Sequence, residues 1–308
     1  LPAFPEFAKA SSLGGPEVIA NLPWAPGIPS QLHPTTIWSW DAAICTLGKS
    51  LCIWYEGGNG WPDEVSLLNT GEDVTQRDVE MLLSWCSDRF EDAHLCFVSQ
   101  HTRDQLAGSS VFTITRDDAE GDYIYDVGEM VSRSGSPYRR VRRELARIDG
   151  TLGRLDTRMY KRAELGTISS DLMAVSRQWL LESATEASRF AQDEIEAIER
   201  MVLSNWPLSA RSDLRTIVLS AGDEIVAWVM VEVDPSSEVV GHFMKYRPTK
   251  NLSLSHAVFD AVAGLARDAG ASRFNAGPDM GFGGIRQFKE SWRPSYLRPT
   301  YQCRLASI

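Results

Sequence analysis

The chain has 308 residues, of which 43% are hydrophobic and 23% charged, with a formal net charge of −10 at pH 7. That composition is ordinary for a globular protein and supplies a core for one large or two medium domains. It excludes a generic nucleic-acid coat, and no apolar run approaches the length of a membrane span.

Residues 1–15 lack a basic stretch ahead of an apolar run, so no signal peptide is expected and the reading is a cytoplasmic protein without an integral membrane segment. Cysteines stand at 45, 52, 86, 96 and 303, with no CxxC pair and no histidine at zinc-ligand spacing. The expectation is buried reduced thiols and no metal.

In chain order, residues 1–35 carry seven prolines and read as a wrap over the surface, because proline fixes φ and lacks an N–H. Residues 37–40 and 51–55 read as short strands. Apolar residues at helical spacing after Thr75 predict a helix over 75–90. A strand over 94–99, a short helix over 102–107 and a strand over 111–115 follow. Residues 134–165 read as a basic helix broken at Gly150 and Gly153, and helices are predicted over 169–185 and 192–204. A hairpin joins 216–220 to 225–233 through a Gly-containing turn, and 239–246 is a third strand. Then come an amphipathic helix over 254–268 ended by Gly270, a strand over 273–276, a short helix over 284–292 and a final strand over 300–305.

The order of elements in 37–115 is repeated in 216–305, which suggests two copies of one α/β unit. The expected organisation is a proline-rich segment (1–35), a first half (36–133), a basic helical connector (134–210) and a second half (211–308). The connector is electrically distinct. Between residues 135 and 165, nine bases face four acids, a net of +5 on a chain whose remainder carries −15. Such a band suits a selective phosphate-rich ligand, and a solvated helix face produces the same pattern.

Two patches carry a family resemblance. The stretch from Phe274 to Pro294, FNAGPDMGFGGIRQFKESWRP, places Asn275, Gly277, Gly281, Gly284, Lys289, Arg293 and Pro294 in a strand, a Gly-rich turn and a helix with an aromatic-basic-Pro stop. Upstream, DYIYDVGEMVSRSGSPYRRVRRE begins at Asp122 and ends in a cluster of bases. Together they resemble the C-terminal domain of the phosphatidylglycerol lysyltransferases. The resemblance implies an α/β fold of tandem GNAT-like (acyl-CoA N-acyltransferase-like) halves, mixed sheets flanked by helices. It also implies an enzyme that moves an aminoacyl group from aminoacyl-tRNA to an amine or hydroxyl. With no spanning segment, the expected acceptor is the amine of a soluble small molecule or peptide, and the product an amide.

GNAT enzymes that use acetyl-CoA hold its pyrophosphate on the amides of a Gly-rich loop that opens a helix. Residues 245–259 occupy that place and contain no glycine, while Pro248 removes one N–H donor. Acetyl-CoA is therefore the less favoured donor, no cofactor is expected, and Lys245, Arg247 and Lys250 become candidates for phosphate by side chain. Arg139, Arg140, Arg142 and Arg143 span i,i+3 and i,i+4 spacings and are candidates for the tRNA acceptor stem.

Transfer from an activated ester needs a proton acceptor, positioning and oxyanion stabilisation. Asp279 in the Gly-rich turn, His242, Asp126 and His256 are candidate bases. Lys289 and Arg293, four apart, are expected to point together at the terminal phosphates or the oxyanion, and Asn275 to orient a carbonyl or start a turn. Two other readings remain open: an acyl-CoA-dependent N-acyltransferase, and a non-catalytic binding module of the same fold.

Overall fold

A computed structural model describes residues 4–12, 28–48, 50–57, 62–69, 74–182, 188–203, 213–234, 237–249 and 251–306. The chain forms two compact units. Unit 1 holds residues up to Asp122 together with Arg298 onward, and unit 2 runs from Tyr123 to Leu297. This division follows packing, whereas the expected cuts at 133/134 and 210/211 follow element order. Of the proline-rich segment, residues 1–3 and 13–27 lie outside the described residues.

In unit 1 the strands β1 (Ala8–Lys9), β2 (Ala43–Leu47), β3 (Ser50–Tyr55), β4 (Glu64–Asn69), β5 (Leu95–Val98) and β12 (Tyr296–Leu305) are neighbours in that order. All pairs are antiparallel except β4 with β5. Helices α1 (Pro34–Ser39), α2 (Gln76–Ser87) and α3 (Gln100–Leu106) belong to the same unit. The strand expected at 37–40 is α1: Pro34 stands at its first position, where a preset φ helps and a missing N–H costs nothing. Val79, Leu82, Leu83 and Cys86 of α2 are almost fully buried in the unit's core, as their spacing predicts.

Unit 2 has strand order β6-β11-β10-β9-β8-β7. These are β6 (Phe112–Asp126), β7 (Asp156–Lys161), β8 (Asp213–Ala221), β9 (Glu224–Asp234), β10 (Glu238–Tyr246) and β11 (Arg273–Asn275). Its helices are α4 (Val127–Ser132), α5 (Arg139–Leu152), α6 (Ser169–Glu182), α7 (Ser188–Leu203), α8 (Ser255–Asp268) and α9 (Gly283–Ser291). The chain passes between the units within β6 and again within β12.

The predicted hairpin is β8–β9, closed by the pair Ala221↔Glu224 around Gly222 at φ +61°. The basic helix α5 runs through Gly150 and stops at Gly153, which has φ +75°. The chain then forms β7, an exposed polar strand hydrogen-bonded to β8 over six residue pairs. Nothing in Asp156-Thr-Arg-Met-Tyr-Lys alternates in hydropathy, so only its pairing makes it a strand. The apolar face of α8 (Val258, Phe259, Val262, Ala266) packs with Phe274, Tyr125 and Trp292 to form the core of unit 2.

Candidate functional site

The site grows from a splay in the sheet of unit 2. Strand β10 pairs in parallel with β11 through Glu238↔Arg273, Val239↔Phe274 and Val240↔Asn275. Beyond that point β10 runs on to Tyr246, while the other chain turns away at Gly277 (φ +68°). The register of β10 against β9 shifts between Gly241 and Phe243. A bulge bends a strand and redirects one side chain, and the residue inside this one is His242. Its side chain is 2% exposed, with Nε2 3.1 Å from Oε2 of Glu232 on β9, itself 1% exposed. Glu232 is the acidic residue inside the apolar run from Ile225 to Val233 of β9, a signal present in the sequence but not used above.

After β11 the chain winds through residues 276–282, with Gly277, Met280 and Gly281 all at positive φ. Asn275 is buried, and its Oδ1 accepts from the Gly277 amide at 2.8 Å, so it starts the turn. Lys289 is 7% exposed, and its Nζ donates to the carbonyls of Ala276 (2.7 Å), Gly277 (3.0 Å) and Pro278 (2.6 Å). An ammonium has three N–H donors, and all three are directed at this bend. Lys289 thus holds the loop from inside and does not face a substrate phosphate, contrary to expectation.

Asp279 is fully buried and accepts from Tyr123 Oη (2.6 Å), the Gly281 amide (2.8 Å), and Arg286 Nε (2.7 Å) and Nη2 (3.1 Å). Burial pushes its pKa up, but the Arg286 guanidinium, the Tyr123 hydroxyl and the Gly281 amide outweigh it and hold the carboxyl below the usual range. A carboxylate that four donors already engage is a poor proton acceptor, so the geometry makes Asp279 a loop anchor. Arg286, seven residues along and across the Gly-rich bend, was not a candidate; no helical or strand spacing links the two positions.

Helix α9 ends at Ser291, and Arg293 leaves it at φ +57°. The i,i+4 argument for Lys289 and Arg293 therefore fails: one points into the loop, and the other is exposed past the helix end. Two tyrosines of the upstream patch hold this helix end. Tyr125 Oη donates to the Lys289 carbonyl (3.0 Å) and Tyr138 Oη to the Trp292 carbonyl (3.2 Å). With Tyr123 on Asp279, three hydroxyls of one patch support the other.

Arg139, Arg140, Arg142 and Arg143 are exposed on the first turns of α5, and Arg142 donates to the Arg133 carbonyl. No acid stands in that first turn. Arg293 lies close enough to Tyr138, the residue before α5, for its charge to lower a phenol pKa that burial has raised.

The strand-to-helix junction is different. Lys245 is 3% exposed, with Nζ 2.7 Å from Glu194 Oε1 and 3.8 Å above the Trp179 ring. Arg247 donates to the Ile225 carbonyl (2.7 Å) and pairs with Glu224 at 3.1 Å, and a further nitrogen bonds Gln178. Both expected phosphate ligands are committed internally, because each side chain finds a partner on a helix or hairpin remote in sequence. Lys250 lies outside the described residues.

Of the other candidate bases, Asp126 caps α4 through the Glu129 amide (2.8 Å). His256 is buried and accepts from Trp292 Nε1 at 2.9 Å on Nδ1. Burial lowers its pKa to about 4. Its folded value lies below the unfolded one, so its stabilisation is complete above about pH 6.5 and is lost as pH falls towards 4. That amounts to about 3 kcal/mol at 1.36 kcal/mol per pKa unit. His256→Phe is expected to flatten the fall in urea midpoint between pH 6.5 and 4; an unaltered pH profile would assign the loss to other groups.

The family match covers residues 65–304 and is to "Phosphatidylglycerol lysyltransferase, C-terminal". The chain belongs to this family. No curated protein matches it. Among solved structures, a conserved protein of unknown function from Bacteroides thetaiotaomicron has TM-score 0.70 at 16% identity, over 98% of this chain and 100% of the other. L-PGS from Bacillus licheniformis has TM-score 0.66 at 14% identity, over 97% and 93%. The C-terminal domain of a putative lysylphosphatidylglycerol synthetase from Agrobacterium fabrum has TM-score 0.60 at 15%, over 89% and 87%. At such identities the likeness is one of fold, α/β with a mixed sheet flanked by helices. Family membership makes the chain a transferase of the acyltransferase kind. No helix among the described residues is long and apolar enough to cross a membrane.

Proposed function

We propose that the chain transfers an aminoacyl group from aminoacyl-tRNA to a nucleophilic acceptor, the amine of a soluble small molecule or peptide, and that unit 2 holds the donor. The observation that carries this reading is the exposed set Arg139, Arg140, Arg142 and Arg143 at the start of α5. A helix N-terminus already bears a partial positive charge, so bases there cost stability. Four of them without an acid in the first turn suit a polyanion bound by charge and shape.

His242 is the proposed base. The imidazole takes the proton from the attacking amine, and the Glu232 carboxylate favours the resulting imidazolium. The amine bonds to the ester carbonyl, the ester C–O bond breaks, and the terminal ribose hydroxyl of the tRNA leaves with a proton.

Coenzyme A fits less well as donor. Leu254, Ser255 and His256 at the start of α8 are buried, so a pyrophosphate reaches those amides only by displacing side chains. The family description favours one second reading of the acceptor, the hydroxyl of phosphatidylglycerol.

The test is incubation with a panel of radiolabelled aminoacyl-tRNAs, a panel of soluble amines and phosphatidylglycerol vesicles. Label in an amide product supports the proposal, and label in lipid selects the second acceptor. No transfer to either, with turnover of acetyl-CoA, overturns it. His242→Gln is expected to lower kcat at least about 10²-fold, as for the loss of a general base, and to leave tRNA affinity unchanged. A matching loss of affinity would make His242 a structural residue instead.

A further inference from the structure

All five cysteines lie in unit 1, and all are buried with reduced thiols. Two of them are directly opposed. The β2–β3 hairpin pairs without a bulge from Leu47↔Ser50 to Ala43↔Trp54, and its central pair is Cys45↔Cys52. Residues opposite one another in an antiparallel pair project from the same face with Cα atoms about 4.5–5.5 Å apart. A disulfide spans Cα separations of about 4.4–6.8 Å. The backbone therefore already meets the requirement, and bridging needs only rotation about two Cα–Cβ bonds.

The other three thiols are placed differently. Cys303 of β12 faces Leu95 of β5. Cys96 is the next residue along β5, so it projects from the opposite side of the strand. Cys86 lies on α2 in the same core cluster as Cys45 and Cys52, and no strand register aligns it with either.

The pair is also chemically unequal. Cys52 is 0% exposed and Cys45 7%, so Cys45 is the less deeply buried of the pair. The neighbouring Cys52 thiol holds the Cys45 pKa below its ordinary value against the effect of burial. Cys52 is pushed up by the neighbouring Cys45 thiol and by burial. A thiolate is the nucleophile in thiol oxidation, and Cys45 is the better placed to become one.

We propose that Cys45 and Cys52 form a reversible disulfide across the β2–β3 hairpin when the protein meets a hydroperoxide. The Cys45 sulfur attacks one peroxide oxygen and the O–O bond breaks, which gives a sulfenic acid and, after proton uptake, one water from hydrogen peroxide. The Cys52 sulfur then attacks the Cys45 sulfur, and the S–O bond breaks. Hydroxide leaves and takes the Cys52 proton as a second water. Two thiols and one peroxide become one disulfide and two waters, so the peroxide is the only oxidant required. The cross-link joins residues that are already paired, so the fold is unchanged.

The experiment treats the full folded chain with one equivalent of hydrogen peroxide, counts thiols, and maps disulfides by peptide mass spectrometry without reduction. The expected result is a fall from five thiols to about three, one Cys45–Cys52 peptide pair, an unchanged circular dichroism spectrum and full reversal by dithiothreitol. Cys45→Ser is expected to slow thiol loss at least tenfold. Cys303→Ser and Cys96→Ser, which leave the hairpin intact, lose two thiols as the parent does. Retention of all five thiols while folded, bridging only in urea, or a Cys52–Cys86 link each overturns the assignment.

Discussion

A chain with Arg139, Arg140 and Arg143 changed to glutamate is expected to fold slightly more tightly and to lose tRNA. The two effects have opposite signs because they arise from different fields. Arg139 and Arg140 open α5, where the aligned peptide dipoles favour acids and oppose bases by about 0.3–1 kcal/mol each. Their replacement by glutamate should raise stability by about 1 kcal/mol in urea unfolding. Tyr138, which caps the helix and bonds the Trp292 carbonyl, is untouched. On the ligand side, each phosphate contact contributes about 0.7–0.9 to the slope of log affinity against log salt. Removal of three contacts should flatten that slope by about 2 and weaken binding roughly 10²-fold at moderate salt. Arg142 is left in place, since its guanidinium is tied to the Arg133 carbonyl. If α5 were merely a solvated basic face, stability would rise in the same way and tRNA affinity would not move. A fall in stability with unchanged binding would remove this surface from the donor site.

Lys289→Met is expected to cost about 3–5 kcal/mol, a large part of a total stability of about 5–15 kcal/mol. The side chain keeps most of its length and loses only the ammonium. That leaves the carbonyls of Ala276, Gly277 and Pro278 without the donor on which they converge. Bonds to a charged group are worth about 1.5–3 kcal/mol each, and a buried carbonyl deprived of its partner carries a desolvation cost in addition. Lys289→Arg should not restore stability. A planar guanidinium spreads its N–H bonds in a fork and cannot aim three of them at one bend from the ammonium position. The measurement is the urea midpoint at unchanged m-value. A loss below about 1 kcal/mol together with abolished transfer would return Lys289 to the role first expected of it, contact with the donor.

Much of the architecture is legible in the sequence because it depends on short-range order. The helices with an apolar stripe, α2 and α8, and the β8–β9 hairpin follow from spacing and turn residues alone. The resemblance of the two motif patches is legible too, through residue identity. Even α5 is visible as a basic helix, although Gly150 does not break it: one glycine costs about 1 kcal/mol relative to alanine, which neighbouring contacts offset.

Strands without a local signature are not legible. Residues 156–161 carry no alternation and become β7 because β8 offers a ladder edge. The polar middle of β6, Arg116 to Asp122, carries no strand signature, and only its first residues are predicted as strand. In the opposite sense, apolar Ile37 and Trp38 suggest a strand, yet Pro34 nucleates a helix there.

Composition and spacing therefore determined an α/β chain with a basic band at residues 135–165, and the two motif patches carried its resemblance to the lysyltransferase C-terminal family. The tertiary structure decided which of its charges reach solvent. Lys245 meets Glu194 and Trp179, Arg247 meets Glu224, Asp279 meets Arg286, and Lys289 meets three carbonyls, in each case across chain separations that no periodicity records. A charge leaves water only when folding supplies a partner. Sequence names the charge, but the partner comes from a distant segment, so only the fold separates anchors such as Lys289 from bases such as Arg139 that stay exposed.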